Sequence, residues 1–284
     1  MSYKLRVFVI LLMFMGLLGN VTILHADIFK IDEFQIMKDG SLFFDDTFSD
    51  GLAPPGAPNL SNGNQVLYNV KGTMGPETDG KLTLDTSKGE KSLNIDETRY
   101  NLVNSAVLKT RSTTGSDPGL DKGSTFSVIG IYNLALPSQR NMNYDIRLTD
   151  ATKDSEGDDI LALEVFRNSA GTGFIRFRHL NDIANSVAIL GDKPLELNHA
   201  QIALKLSTVD SNTNMIRASY AYIDDGTIGD YKNVGDDTGI FTNEDFTRAQ
   251  FSARQIAPVP IPGAVWLLST GLAGLGLLRR RFTK

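Results

Sequence analysis

"QIALKLSTVDSNTNMIRASYAYIDDG", residues 201–226, reads as two strands and the link between them. Ile202, Leu204 and Leu206 alternate with Ala203, Lys205 and Ser207. After the polar residues 211–214 the alternation resumes with Ile216, Ala218, Tyr220 and Tyr222 on one face. A period of two sends successive side chains to opposite faces of a pleated strand, and two such runs joined by a short polar link form an antiparallel hairpin. The same period runs through "MNYDIRLTD" (142–150), with Met142, Tyr144, Ile146 and Leu148 on one face and Asn143, Asp145 and Arg147 on the other. A second hairpin is expected across "SAGTG" (169–173), joining "ILALEVFRN" to "FIRFRHL". Further strands are expected at 42–44, 65–70, 81–84, 106–110, 125–132 and 186–190. Many short strands with no long segment of 3.6-residue period predict an all-β fold, an antiparallel β-sandwich. Only 242–250 hints at a helical turn, with Thr242 capping and Asp245 three residues later.

The two ends differ from this body. Lys4 and Arg6 precede the apolar run "VFVILLMFMGLL" (7–18), and "ILHAD" offers a cut after Ala26. A basic start, a short apolar run and a small residue at the cut make residues 1–26 a secretory signal peptide, with an uncleaved N-terminal anchor or a buried helix as the other readings. Residues 27–257 then form one sandwich domain, without internal repeat and of ordinary length. The chain has no cysteine, so a protein bound for an oxidising compartment would rest on packing alone. From Asp27 onward the net charge is −7, and −11 once Arg279, Arg280, Arg281 and Lys284 are set aside. An acidic body excludes nucleic acid as a partner, because phosphate binding needs clustered cations.

The closing segment is "VPIPGAVWLLSTGLAGLGLLRRR" (259–281). Its uncharged stretch, 261–278, is long enough as a helix to cover about 27 Å, close to the ~30 Å hydrocarbon core of a bilayer. Gly263, Gly271, Gly274 and Gly276 are tolerated in a membrane helix, and Trp266 suits an interface. The arginines at its end belong on the cytoplasmic side, which puts the body on the other side, where a signal peptide sends it. Pro260 and Pro262 hold the lead-in extended, as a membrane-embedded protease requires, or simply mark the start of the helix.

These residues resemble the C-terminal sorting signal of PEP-CTERM proteins, in its VPxP form. Val259, Pro260 and Pro262 match the motif, Ala264 to Leu267 with Trp266 match the Ala-Val-Trp-Leu run typical after it, and Arg279, Arg280 and Arg281 match the basic end. The resemblance covers residues 258–284. It implies export by the secretory translocon of a Gram-negative bacterium and recognition of the tail by an exosortase, a membrane cysteine transpeptidase. It also implies release to the cell surface or to an extracellular polysaccharide matrix, as in biofilms. Before processing, the tail anchors the chain in the membrane with the body in the periplasm. A GPI-type signal fits less well because its apolar segment ends the chain. A permanent single-pass anchor has the same sequence and stays open.

Within the body, "LFFDDTFSDG" (42–51) and "ASYAYIDDG" (218–226) resemble the concanavalin-A-like lectin and glucanase jelly roll, which implies a fold rather than an activity. A retaining glycosidase on that fold needs two carboxylates about 5–5.5 Å apart. Along single strands no such pair is legible: Asp96 and Glu97 are adjacent and so point to opposite faces, and "LEVF" offers only Glu164. Cysteine nucleophiles are absent, and beyond the signal peptide only His179 and His199 remain, too few for a zinc site. No catalytic residue is named. Oxygen-rich loops make calcium the metal to consider: Asp45 and Asp46 in the first, Asp154 and Asp158 in "DATKDSEGDD" (150–159), and "DDGTIGDYKNVGDD" (224–237). None has EF-hand spacing, and solvated turns explain the same composition. Tyr144, Tyr222 and Tyr231 are candidates for stacking on sugar rings or for packing.

The sequence therefore predicts an exported, exosortase-processed surface or matrix protein with a lectin-like sandwich. A secreted glycoside hydrolase and a permanent membrane protein are the alternatives.

Overall fold

The computed structural model describes residues 27–51, 54, 56–61, 63, 67–93, 99–109, 120, 124–139, 142–150, 159–181, 186–210, 215–239 and 248–258. The signal peptide with Ala26, the tail from Val259 to Arg281, and the calcium candidates Asp154 and Asp158 lie outside these residues. Among the described residues no helix is long and apolar enough to cross a membrane.

In chain order the strands are β1 (Ile28–Lys38), β2 (Ser41–Asp46), β3 (Tyr68–Lys71), β4 (Leu82–Asp85), β5 (Glu90–Leu93), β6 (Arg99–Lys109), β7 (Phe126–Asn133) and β8 (Met142–Asp150). They continue with β9 (Asp159–Arg167), β10 (Gly173–Asn181), β11 (Ser186–Pro194), β12 (Gln201–Thr208), β13 (Ile216–Asp224), β14 (Thr227–Ile228), β15 (Lys232–Asn233) and β16 (Arg248–Pro258). They form two antiparallel sheets. The first runs β14-β13-β12-β7-β1-β2, with β15 on β13 and β4 on β1; the second runs β11-β10-β9-β8-β16-β6-β3, with β5 on β6. Both expected hairpins are present: β12 pairs with β13 from Gln201↔Ile223 to Thr208↔Ile216, and β9 with β10 from Gly173↔Arg167 onward.

Two long strands escape a search for alternation, for different reasons. In β1 the buried residues are Phe29, Ile31, Phe34 and Ile36, and a register irregularity between Ile31 and Glu33 shifts the phase midway. In β16 the inward positions are Ala249, Phe251, Ala253 and Gln255, so only one large apolar side chain marks the core face. Residues 248–250, expected in a helical turn, are instead the start of this strand. Pairing with β6 and β8 on both sides overrides the weak local signal.

The two sheets close on one core. Phe34 of β1 meets Phe251 of β16 edge-on at 5.1 Å between ring centroids, and Phe48 and Tyr68 approach the same ring at 5.6 and 5.5 Å. Tyr144 of β8 lies 4.8 Å from Phe29 and 4.9 Å from Tyr132 of β7. The hydroxyl of Tyr132 donates to the carbonyl of Asp145 at 2.7 Å, a polar tie across the apolar interior. Burying rings of this size stabilises by about 2–3 kcal/mol each.

Along one side the sheets meet in close backbone contact. Val234, after β15, is fully buried and donates to the Ala218 carbonyl at 2.9 Å. The next residue, Gly235 (φ +74), lies against Gly191 of β11. A Cβ on Gly191 would fall 2.5 Å from the Gly235 nitrogen, and one on Gly235 2.8 Å from the Leu190 carbonyl carbon. Only glycine fits on either side, so the 231–238 segment is pinned to the second sheet.

Candidate functional site

On the second sheet, Tyr144, Ile146, Leu148, Leu163, Val165, Phe177 and Phe251 point into the core, so the intervening residues share the outer face. Register arranges them in rows. One row reads Ser105, Ser252, Asp145, Glu164, Arg176 and Asp192 across β6, β16, β8, β9, β10 and β11. On one side of it lie Arg254, Asn143, Phe166 and Phe174. On the other lie Gln250, Arg147, Ala162 and Arg178. A period of two places them on this face, but nothing along the chain says that Asp145 faces Glu164 across β8 and β9.

This polar face is buried at its centre: Asp145 is fully enclosed, and Arg147 and Glu164 are 3% exposed. Arg147 donates Nε and Nη2 to one Asp145 oxygen at 2.9 and 2.6 Å, and Ser252 donates its hydroxyl to the other. Arg254 adds an Nε bond to Ser252 at 3.1 Å and lies 3.6 Å from Asp145. Glu164 accepts from Asn143 and pairs with Arg178 at 2.8 Å. Burial alone would raise the Asp145 carboxyl, but Arg147 and Arg254, with the hydrogen bonds from Arg147 and Ser252, outweigh it and hold it below the usual carboxylate range. Burial, reinforced by the charge of Arg147, pushes Arg254 down to about 9, which leaves it charged at neutral pH. Towards the β11 edge, Arg176 forks onto Asp192 at 2.8 and 2.9 Å and lies 4.0 Å over the Phe166 ring, which stacks on Phe174.

A glycosidase acid must hold a proton near working pH. Here both carboxylates are tied to arginine, with Asp145 held ionised. Asp145 and Glu164 face each other as a dyad would, but each is ion-paired, Asp145 with Arg147 and Glu164 with Arg178.

The calcium candidates Asp45 and Asp46 are adjacent on β2 and point to opposite faces. Asp46 faces inward at 1% exposure, accepting from the Phe48 N–H and the Tyr68 hydroxyl, each at 2.9 Å. Asp45 faces outward beside Glu33, whose carboxyl is raised by burial and by Asp45. Among the described residues no group of three or more His, Asp or Glu side chains is placed to hold a metal ion. In the 224–237 loop, Asp224 bonds His199 and Asp237 is forked by Arg217 at 2.9 and 2.7 Å.

Burial lifts Asp46 to about 6 despite its two hydrogen bonds, and burial with the charges of Asp46 and Asp50 lifts Glu77 to about 7. Both folded values exceed their unfolded ones, so between about pH 4 and 7 the folded state holds protons that the unfolded state has lost. Their stabilisation is complete near pH 4 and disappears as pH rises through 7. Asp145 acts oppositely, its contribution vanishing only below about pH 4. The protein is expected to be about 2 kcal/mol less stable at pH 8 than at pH 5, most of it from buried Asp46 because solvent screens the more exposed Glu77, with Asp46→Asn flattening the difference. Urea unfolding at the two pH values checks this, and a profile that rises with pH contradicts it.

Of the three tyrosines considered for stacking on sugars or for packing, Tyr144 is a core residue with no exposure. Tyr222 is 8% exposed: its ring is covered by His199 at 4.1 Å and its hydroxyl accepts from the Glu196 N–H. Tyr231 is half-buried on the outer face of the first sheet, above Ile131, Ala203 and Ile223, with the Lys205 ammonium 4.8 Å over its ring. His199, in a loop, gives Nδ1 to Asp224 at 2.6 Å, and His179 lies on β10.

No protein-family model matches the sequence, and no curated protein matches it. Among solved structures, a GH43 glycoside hydrolase engineered to display both endo-xylanase and exo-arabinofuranosidase activity matches 55% of this chain at 13% identity. The match spans 34% of that protein's length with a TM-score of 0.26, too slight a likeness to bear on the reading of this fold.

Proposed function

We propose that this chain is an exported surface or matrix protein whose sandwich recognises glycan and does not cleave it. Residues 1–26 act as the signal peptide for the secretory translocon. The sandwich is a lectin-like jelly roll, and residues 258–284 form a PEP-CTERM-type tail read by an exosortase. The observation that supports recognition without cleavage is the ion pairing on the outer face: Asp145 and Glu164 face each other across β8 and β9, and each is held by an arginine, Asp145 by Arg147 and Glu164 by Arg178. The delivery reading rests on the sequence of the tail. The last described strand ends at Pro258, immediately before Val259 of the motif.

Mass spectrometry of the C-terminus in an exosortase-bearing host tests delivery. The mature chain is expected to lack Arg279, Arg280 and Arg281, and an uncut form to accumulate when the exosortase is deleted. Retention of Arg281 in both strains contradicts processing and favours a permanent anchor.

A further inference from the structure

We propose that the outer face of the second sheet binds an acidic polysaccharide, through a sugar carboxylate held by Arg178 and Arg254 and a ring lying on Phe174. This rests on the glycan-recognition reading and names its ligand class. Across the three rows, four guanidiniums (Arg147, Arg176, Arg178, Arg254) meet three carboxylates (Asp145, Glu164, Asp192), an excess of one positive charge on a body whose net charge is strongly negative. Three buried polar atoms of these rows have no partner: Oγ of Ser105, Oδ1 of Asn143 and Nε of Arg178. Unpaired donors and acceptors in an enclosed cluster cost free energy until something bonds them.

Access runs along the arginines. Arg178 and Arg254 keep 19% and 17% of their side chains exposed, whereas Asp145 beneath them has none. Asp145 and Glu164 thus hold the floor and the guanidiniums present a rim, a geometry that repels neutral or cationic ligands less than it rewards an anion. Phe174, partly exposed and stacked on Phe166, offers an apolar surface four residues along β10 from Arg178. A free anion would use only the arginines. A chain of acidic sugars uses both, the carboxylate of one unit at the arginines and the ring of another on Phe174.

The full chain is titrated by calorimetry with three probes: a galacturonic acid hexamer, the same hexamer methyl-esterified, and a neutral β-glucan hexamer. The acidic hexamer is expected to bind at least about tenfold more tightly than its ester, since the ester loses charge-assisted bonds. Its affinity should fall as salt rises. Arg178→Lys, which keeps the charge but not the fork, and Phe174→Ala should each weaken binding several-fold, while melting temperatures report whether the variants remain folded. Equal affinity for acid and ester overturns this proposal, as does an Arg178→Lys variant that binds like the parent. Preference for the neutral hexamer overturns the acidic class but leaves glycan recognition standing. No binding to any of the three overturns both.

Discussion

Replacing Asp145 with alanine is expected to remove about 3–5 kcal/mol of folding stability. The carboxylate is fully buried and is the common partner of Arg147, Arg254 and Ser252. Its removal leaves two guanidiniums in an enclosed site with no anion between them, and the cost of that unpaired charge, rather than the loss of attraction, sets the magnitude. Asp145→Asn keeps the size and an acceptor for Ser252 and should fall between the two. Equilibrium urea unfolding measures the series, and an alanine variant within about 1 kcal/mol of the parent would show that the network is more solvated than its geometry implies.

The second large effect concerns backbone. Gly235→Ala is expected to cost about 3 kcal/mol or more, because it combines a left-handed φ of +74 with a collision against the Leu190 carbonyl. Neither side can yield cheaply: β11 is hydrogen-bonded along β10, and Val234 is anchored in the core. Gly226→Ala is the control. It has a similar φ of +73 in the β13–β14 turn, but nothing lies within 4 Å of its added Cβ. It should cost only about 1 kcal/mol, the strain of the turn conformation alone. Equal losses at the two sites would mean that the contact between the sheets does not hold in solution.

The sequence revealed those strands whose inward positions are large and evenly spaced. Tyr144, Ile146 and Leu148 mark β8, and Ile202, Leu204 and Leu206 mark β12, and all six are in the core. It concealed β1, where an irregularity breaks the period, and β16, where alanine and glutamine replace large apolar residues. For the site, alternation assigned Asn143, Asp145 and Arg147 to the polar face but could not reveal what they meet. Ser252 and Asp145 are 107 residues apart, and β8 pairs with β16 and β9 at once. Polar residues facing outward are ordinarily solvated; these are enclosed because long arginines from three strands lie across them. The tyrosines followed their strands: alternation put Tyr144 with Ile146 and Leu148, and Tyr222 with Ile216 and Ala218, and both take the core side.

Recognition without turnover is tested most directly by incubating the full chain with acidic and neutral polysaccharides, then measuring both the protein retained and the reducing ends released. The account predicts retention on polysaccharide with no reducing ends above those of the polysaccharide alone. Release of reducing ends that Glu164→Gln abolishes would contradict it, and would make Asp145 and Glu164 a catalytic pair.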